Sequence, residues 1–197
     1  MVDWQARAVS GDEVVAHVRS GQRLYLHGDC AASLPLEAAL AARAGSLEGV
    51  KAYQVHKDGP EVLADPAVSP HIRLVSLFCG GGVRQAVAEG RADYIPVHLS
   101  DIPQHIAAGR FGIDVAIVQL SWPDADGYCS LGVSVDSARA AVDAAPVVLA
   151  ELNRRMPRTH GATRVHLDRL TAFTVTDRPL LERAVPAATP EVLAIGA

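Results

Sequence analysis

The residues with most potential for chemistry lie in and just after an apolar segment near the middle of the chain. Residues 113–120 form a near-continuous apolar run, the pattern of a parallel strand covered on both faces. A proline, two aspartates and a glycine follow within seven residues and favour a turn. In open α/β sheets, ligands bind beyond the carboxyl ends of strands. We therefore predict a binding role for Gln119, Ser121, Gly127 and Ser130.

A second candidate is the glycine triplet Gly80, Gly81 and Gly82, between a predicted strand and a predicted helix. Backbone N–H groups at such a helix start can hold an anion or a developing oxyanion. The triplet lacks the third glycine of a dinucleotide-binding loop and the lysine of a phosphate-binding loop. A tight turn under close packing is an equally good interpretation of these glycines.

Arg84 lies one turn into the same predicted helix. Its guanidinium group could pair with a substrate carboxylate or phosphate. The alternative is a salt bridge to Asp93 or Asp101, which stand a short distance along the chain.

The cysteines, histidines and glutamates give weaker signals. Cys30, Cys79 and Cys129 are odd in number, far apart and without a CxxC spacing, which argues against a disulfide framework and a zinc site. We expect no metal and a reducing cytoplasm. A Cys–His nucleophile is conceivable, but buried inert thiols are the better interpretation. None of the glutamates follows a strand beside a glycine-rich turn, so we predict no paired-carboxylate site.

The elements that must position these residues alternate along the chain. Apolar runs predict strands at residues 23–27, 50–56, 72–79, 93–98, 113–120 and 147–152. Helices are predicted at 10–19, 35–44, 83–89, 101–109 and 137–144, with shorter extended pieces at 165–167 and 173–175. This alternation predicts an α/β fold, with a three-layer open, mainly parallel sheet and helices on both faces. Gly28, Ser33 and Pro35 belong to the first strand-to-helix connection and complete the predicted binding edge.

Composition excludes several classes of partner. The chain has 197 residues, enough for one domain with a sizeable core, and a net charge of −4. It has no basic stripe, so nucleic acid is not expected as a partner. No apolar run approaches the ~18 residues of a membrane span, and the first residues do not form a signal peptide.

Three ordered blocks now identify a family resemblance. They are GRADYIPVHLSDIP at residues 90–103, DVAIVQLS at 114–121 with DGYCSLGVS at 126–134, and NRRMPRTHG at 153–161. The chain resembles the amino-terminal domain of the acetyl-CoA hydrolase/transferase family, which includes 4-hydroxybutyrate and succinyl-CoA:acetate CoA-transferases. The resemblance spans nearly the whole chain, and its most specific block lies at 114–134.

The resemblance implies two similar α/β domains that face each other across a cleft, the CoA-transferase fold. Residues 1–185 would form the first domain, and 186–197 a linker and the start of a helix leading into the second. Family members move CoA between carboxylic acids through a glutamyl-CoA thioester. The glutamate and most of the CoA site belong to the second domain, beyond Ala197, so the resemblance implies no catalytic residue in this chain. CoA and acyl-CoA are then substrates, and no permanent cofactor is implied.

The chain departs from the family pattern at three places. Gly82 replaces an asparagine, Leu74 and Val75 replace a His-Asn pair, and Gln54 replaces a histidine on the second strand. The resemblance therefore leaves the acyl group undefined.

The expected function is that of the first domain of a CoA-transferase acting on acyl-CoA and a small carboxylate such as acetate, 4-hydroxybutyrate or succinate. Alone, the chain is expected to lack turnover; complete, it is expected to be a homo-oligomer. One alternative is a non-catalytic subunit that needs a separate catalytic partner. The other, ranked lower, is a thioester hydrolase using Cys129 or Cys30.

Overall fold

Parallel strands form the central sheet of the protein. The structure is a computed structural model and describes residues 4–57, 59–183 and 187–196. Its strands are β1 (Arg23–Leu26), β2 (Val50–Gln54), β3 (Ile72–Ser76), β4 (Ala92–Tyr94), β5 (Val115–Leu120), β6 (Tyr128–Ser130), β7 (Val147–Asn153), β8 (Arg164–His166) and β9 (Ala172–Thr176). The main sheet has the order β4-β3-β2-β1-β5-β7-β9, and every neighbouring pair in it is parallel.

Helices cover both faces of this sheet. They are α1 (Gly11–Val15), α2 (Leu34–Ala42), α3 (Gly81–Ala88), α4 (Ile102–Ala107), α5 (Ala138–Ala144) and α6 (Pro190–Ile195). The first three pack into one hydrophobic core, while α4 and α5 pack into another on the opposite face. The predicted three-layer α/β architecture is confirmed.

The two cores follow from the alternation of side chains along each strand. On β5, Val115 and Ile117 belong to one core, whereas Ala116 and Val118 belong to the other. Because both faces are covered, all six residues of β5 are buried. This explains why the segment has a continuous apolar run instead of an apolar–polar alternation.

The start of α1 was predicted more accurately than its end. The capping box is confirmed: the Glu13 N–H donates to Ser10 Oγ at 3.2 Å, and the Ser10 N–H donates to Glu13 Oε2 at 2.9 Å. The helix was predicted to reach residue 19 but ends at Val15. Beyond it, the N–H of Val18 bonds three residues back to Val15, and the turn brings the Val18 side chain into the core.

Two features of the sheet were not predicted. The extended piece near Phe173 is part of β9, a full member of the main sheet that pairs with β7 over five residues. The other piece is part of β8, which pairs antiparallel with β6 and places Tyr128 opposite His166. This small sheet closes the loop that follows β5.

The predicted domain boundary between residues 185 and 186 falls outside the described residues and stays a prediction. Residues 190–195 do form a helix, α6, and Thr189 caps it through a hydrogen bond from the Val192 N–H. No helix within residues 4–57, 59–183 and 187–196 is long and apolar enough to cross a membrane.

Candidate active site

The strand order reverses at β1, which has β2 on one side and β5 on the other. In doubly wound sheets, the ligand crevice lies outside the carboxyl ends of the strands at such a reversal. Here the residues that follow β1 and β5, starting with His27 and Ser121, border that position. Because the main sheet is parallel, the connections after β1, β3 and β5 leave from this same edge. They contain most of the residues that sequence analysis assigned to the site.

Gly28 packs against backbone at the base of this crevice. A Cβ atom there would lie 2.7 Å from the His56 carbonyl oxygen and 3.1 Å from Asp136 Oδ2. The N–H of Asp29 donates to the same carbonyl at 2.7 Å. Of the residues that the structure describes, only two non-glycine residues have a left-handed backbone, Asp29 (φ 51°) and Asp136 (φ 28°). Such strain costs about 1–3 kcal/mol and is concentrated at functional sites.

We predict that Gly28→Ala destabilises the protein by about 1–3 kcal/mol, because the added methyl group meets a backbone carbonyl that cannot rotate away. Gly45→Ala is the matched control, since a Cβ atom at Gly45 meets nothing within 4 Å. Urea unfolding of both variants measures the difference. Equal losses would contradict the close packing of Gly28.

Two buried rings hold the segment around Asp136 against β1. His27 Nδ1 accepts the Gln119 N–H at 3.2 Å, and Nε2 lies 2.8 Å from the Ser134 carbonyl oxygen. Since a carbonyl only accepts, Nε2 carries the proton, and burial lowers the pKa of His27 so that the ring is neutral. The Tyr25 hydroxyl donates to Asp136 Oδ1 at 2.6 Å, and burial raises the pKa of Tyr25. Both rings therefore have supporting roles.

The glycine triplet at residues 80–82 forms the start of α3, with Gly80 in the N-cap position and no side chain capping the helix. Arg84 is exposed, and no carboxylate of the described residues pairs with it. Asp93 pairs instead with Arg73 at 2.5 Å, and Asp101 accepts a hydrogen bond from its neighbour Ser100. The predicted alternative of a salt bridge for Arg84 is therefore wrong, and its guanidinium group is open to a ligand.

Ser33 and Gln119 lie at the predicted edge but are fully buried. The Ser33 hydroxyl donates to Glu151 Oε2 at 2.8 Å. The Gln119 amide donates to the Ala32 carbonyl at 3.1 Å and accepts from Asn153 Nδ2 at 2.8 Å. Both side chains therefore support the edge from its buried side, and the polar groups of each have hydrogen-bond partners within the protein. Pro35 is the second residue of α2, as expected of a helix start.

Glu151 is the centre of this buried network and was predicted only as a strand residue. Arg178 binds it through two nitrogen atoms of the guanidinium group, Nε to Oε1 at 2.7 Å and Nη2 to Oε2 at 2.9 Å. The Thr176 hydroxyl donates to Oε1 at 2.6 Å. The carboxylate thus accepts hydrogen bonds from three different side chains, counting Ser33, and ties β7 and β9 to the start of α2.

Ser121, Ser130 and Gly127 shape the loop between β5 and β6. The Ser130 N–H donates to Ser121 Oγ at 2.9 Å, and the two hydroxyls lie 3.2 Å apart, both buried. Gly127 has φ 81°, and a Cβ atom there would lie 2.9 Å from His166 Nε2. These residues join the loop to the small β6–β8 sheet, away from the glycine triplet after β3.

A buried charge cluster beside the edge was missed. Lys57 Nζ contacts Glu37 Oε2 and lies 2.9 Å from Glu61 Oε1, in ion-pair contact without hydrogen-bond alignment. Gln54 Nε2 donates to Glu61 Oε2 at 2.7 Å. No paired-carboxylate site was predicted, and here Glu37 and Glu61 share the Lys57 ammonium group as a common partner. The available signal was Lys57 itself, a cation directly after a buried strand and four residues before a glutamate.

Comparison with known proteins identifies the family. The acetyl-CoA hydrolase/transferase N-terminal domain matches residues 2–180 of the chain. The chain belongs to this family. The resemblance inferred from the sequence blocks is confirmed.

The relatives of this acetyl-CoA hydrolase/transferase domain are longer proteins. It is 35% identical over 177 residues to the succinyl-CoA:acetate/propanoyl-CoA:succinate CoA transferase of Fasciola hepatica, covering 89% of the chain and 37% of the relative. It is 31% identical to the 4-hydroxybutyrate coenzyme A transferase of Clostridium kluyveri, covering 93% of the chain and 43% of that protein. The crystal structure of RipA from Yersinia pestis superposes with a TM-score of 0.90 at 26% identity, covering 96% of the chain and 47% of RipA. The chain thus spans less than half the length of these relatives.

The cysteines of the acetyl-CoA hydrolase/transferase domain differ in their surroundings. Cys129 is buried, and burial raises the pKa of its thiol to about 12, so the thiolate needed for attack on a thioester is scarce. Cys30 and Cys79 are half-buried in the connections after β1 and β3. Burial of Cys129 argues against its use as a nucleophile. Within the described part of the chain, no three His, Cys, Asp or Glu side chains are placed to hold a metal ion.

Proposed function

We propose that this chain is the first domain of a CoA-transferase that moves CoA between an acyl-CoA and a small carboxylate of the acetate, 4-hydroxybutyrate or succinate type. The observation that carries the proposal is the family match over residues 2–180. It is supported by relatives named as transferases of CoA among small carboxylic acids. The reaction would run through a glutamyl-CoA thioester, which splits one difficult transfer into easier steps.

In this proposal, the nucleophilic glutamate comes from a second domain, and the chain forms one wall of the cleft. The free guanidinium group of Arg84 is suited to pairing with the carboxylate that accepts or leaves CoA. Backbone N–H groups at Gly81 and Gly82 are suited to stabilising a developing oxyanion. Gly28 would shape this wall by letting the first connection pack against the His56 carbonyl, because a Cβ atom would not fit there. The buried residues Ser33 and Gln119 would act as positioning residues.

A separate catalytic subunit, in place of a covalently linked second domain, is the alternative that the surface also supports. Phe78 follows β3 and is 57% exposed, and Tyr94 at the end of β4 is 47% exposed. Leu99, further along that connection, is 60% exposed. Exposed apolar residues beside one edge are typical of a surface that another protein unit covers. Homo-oligomerisation of the complete enzyme stays part of the proposal.

The test is an assay with acetyl-, succinyl- and butyryl-CoA and free acetate. We expect no turnover by the chain alone, and turnover once it is fused to, or mixed with, the second domain of a 4-hydroxybutyrate CoA-transferase relative. Arg84→Ala in the active assembly is expected to raise the KM for the carboxylate. The control is Arg110→Ala, because Arg110 precedes β5 and therefore lies at the opposite edge of the sheet. Enzyme-like turnover by the chain alone would show that the nucleophile lies within it. A folded, assembled two-domain protein without transfer would overturn the proposal.

A further inference from the structure

A separate groove lies further along the same edge, beyond the carboxyl ends of β5, β7 and β9. It has a volume of about 260 Å³ and is lined by Trp122, Arg154, Val175, Thr176 and Asp177. Pockets for drug-sized ligands usually exceed about 300 Å³, so this groove is suited to one ring system of a larger ligand. None of its residues was assigned to the site by the sequence.

The aromatic wall of the groove is held in place. Trp4 packs edge-on against Trp122, with ring centroids 4.8 Å apart and an interplanar angle of 79°. Trp4 also contacts the buried Phe173 of β9, at 6.2 Å. One aromatic ring is thus fixed at the mouth of the groove, and a flat ligand could stack on it at small entropic cost.

The groove carries a net positive charge, which comes from Arg154. Three nearby arginines each bind a carboxylate: Arg155 binds Asp177 at 2.7 Å, while Arg158 and Arg178 bind Asp124 and Glu151. Arg154 is exposed, and within residues 4–57, 59–183 and 187–196 no carboxylate pairs with it. Because Arg155 neutralises Asp177, Arg154 supplies the net charge of the residues that are described as lining the groove. An exposed guanidinium group that pairs with no carboxylate is suited to binding a phosphate group.

Arg154 and Trp122 are also not closely stacked. The Arg154 guanidinium carbon lies 5.8 Å from the Trp122 ring centroid, near the limit of a cation–π contact. By contrast, Arg164 lies 3.9 Å from the ring of Tyr128 in the same protein. A ring between the two groups needs about 7 Å, two contacts of about 3.5 Å each. The exposed Arg154 side chain would therefore have to withdraw by only about 1 Å.

We propose that this groove binds a purine nucleotide, with the base stacked on Trp122 and a phosphate group paired with Arg154. Two sources carry this chemistry, the nucleotide end of CoA and a free adenine nucleotide. Only the assignment to CoA rests on the proposed function; the groove itself does not. Binding of the nucleotide here would place part of the CoA recognition in the first domain.

Tryptophan fluorescence of the 197-residue chain tests the proposal. Trp4 and Trp122 are its only two tryptophans, so the tryptophan emission comes from one ring that lines the groove and one that packs against that ring. We expect saturable quenching by adenosine 3′,5′-bisphosphate and none by pantetheine, with excitation at the red edge where adenine does not absorb. Arg154→Ala should weaken binding about tenfold, the loss of one charge-assisted hydrogen bond. Arg110→Ala removes the same charge at the other end of β5 and should bind normally.

The outcomes separate the proposal from its rivals. No saturable quenching by any nucleotide, or equal binding by Arg154→Ala and the unsubstituted chain, would overturn it. Equal quenching by adenosine would overturn the role of the phosphate. Preference for the 3′,5′-bisphosphate over ADP supports CoA as the source, whereas equal binding supports a free nucleotide. Acyl transfer without nucleotide quenching would remove this inference alone, and quenching without transfer would remove only the proposed function.

Discussion

Replacing Glu151 with alanine is expected to destabilise the protein by about 3–5 kcal/mol, the usual cost of breaking a buried ion pair from one side. The carboxylate is fully buried and accepts hydrogen bonds from Ser33, Thr176 and two nitrogen atoms of Arg178. Its removal leaves a guanidinium group and two hydroxyls without their partner. Chemical denaturation with urea measures the loss directly.

The matched control is Arg155→Ala, which breaks the neighbouring pair with Asp177. Both of those side chains are more than half exposed, so the pair should contribute only about 0–1 kcal/mol. A loss for Glu151→Ala no larger than that of the control would contradict the structural role of the network. If Glu151→Ala cannot be purified folded, Glu151→Gln keeps the side-chain shape and should show a smaller loss of the same sign.

The elements of the fold were predictable because local pattern and burial agree. Residues 115–120 are apolar on both faces, and the sheet buries both faces. The capping box of Ser10 and Glu13 was predictable because both partners lie within four residues. By contrast, β9 was predicted only as a short extended piece. Its place in the main sheet depends on pairing with β7, which no local pattern encodes.

The candidate site shows the same division. The glycine-rich connections and Arg84 were found from residue type and position, and the structure leaves Arg84 unpaired among the described residues. The bond between Ser33 and Glu151 joins residues 118 positions apart, so only the strand order brings them together. Ser33 therefore was predicted at the right edge, but its burial was not.

The burial of Glu37 also depends on contacts between residues that are far apart in the sequence. Its effect on the pH dependence of stability can be measured. Its carboxyl group is enclosed by Lys57 and Glu61, with the charge of Arg178 acting from the neighbouring network. Lys57 and Arg178 supply two positive charges, and the carboxyl groups of Glu37, Glu61 and Glu151 face them. Burial raises the pKa of Glu37 to about 7, although Lys57 opposes the shift. The folded protein therefore holds a proton that the unfolded chain releases.

We expect Glu37 to make the protein less stable as the pH rises from about 4.5 to about 7. Below pH 4.5, the carboxyl group is protonated in both the folded and unfolded states, and its contribution to stability is fully present. Between these values only the folded state keeps the proton, so the free energy of unfolding falls, by at most about 1.4 kcal/mol per pH unit. Above pH 7 both states are ionised, and the loss is complete.

Glu37→Gln should abolish this slope and, at pH 8, should make the protein more stable than the unsubstituted chain. The amide oxygen can still accept a hydrogen bond from Lys57, while the excess negative charge beside Glu61 is removed. The control is Glu13→Gln, because hydrogen bonds from Ser10 lower the pKa of Glu13 and confine its effect to pH values below about 4.5. Unfolding curves at pH 5, 6, 7 and 8 give the free energy of unfolding of each variant and of the unsubstituted protein. Parallel pH profiles for the Glu37→Gln variant and the unsubstituted protein would show that Glu37 does not titrate in this range, whereas a divergence that grows toward pH 7 would establish a buried proton beside the candidate site.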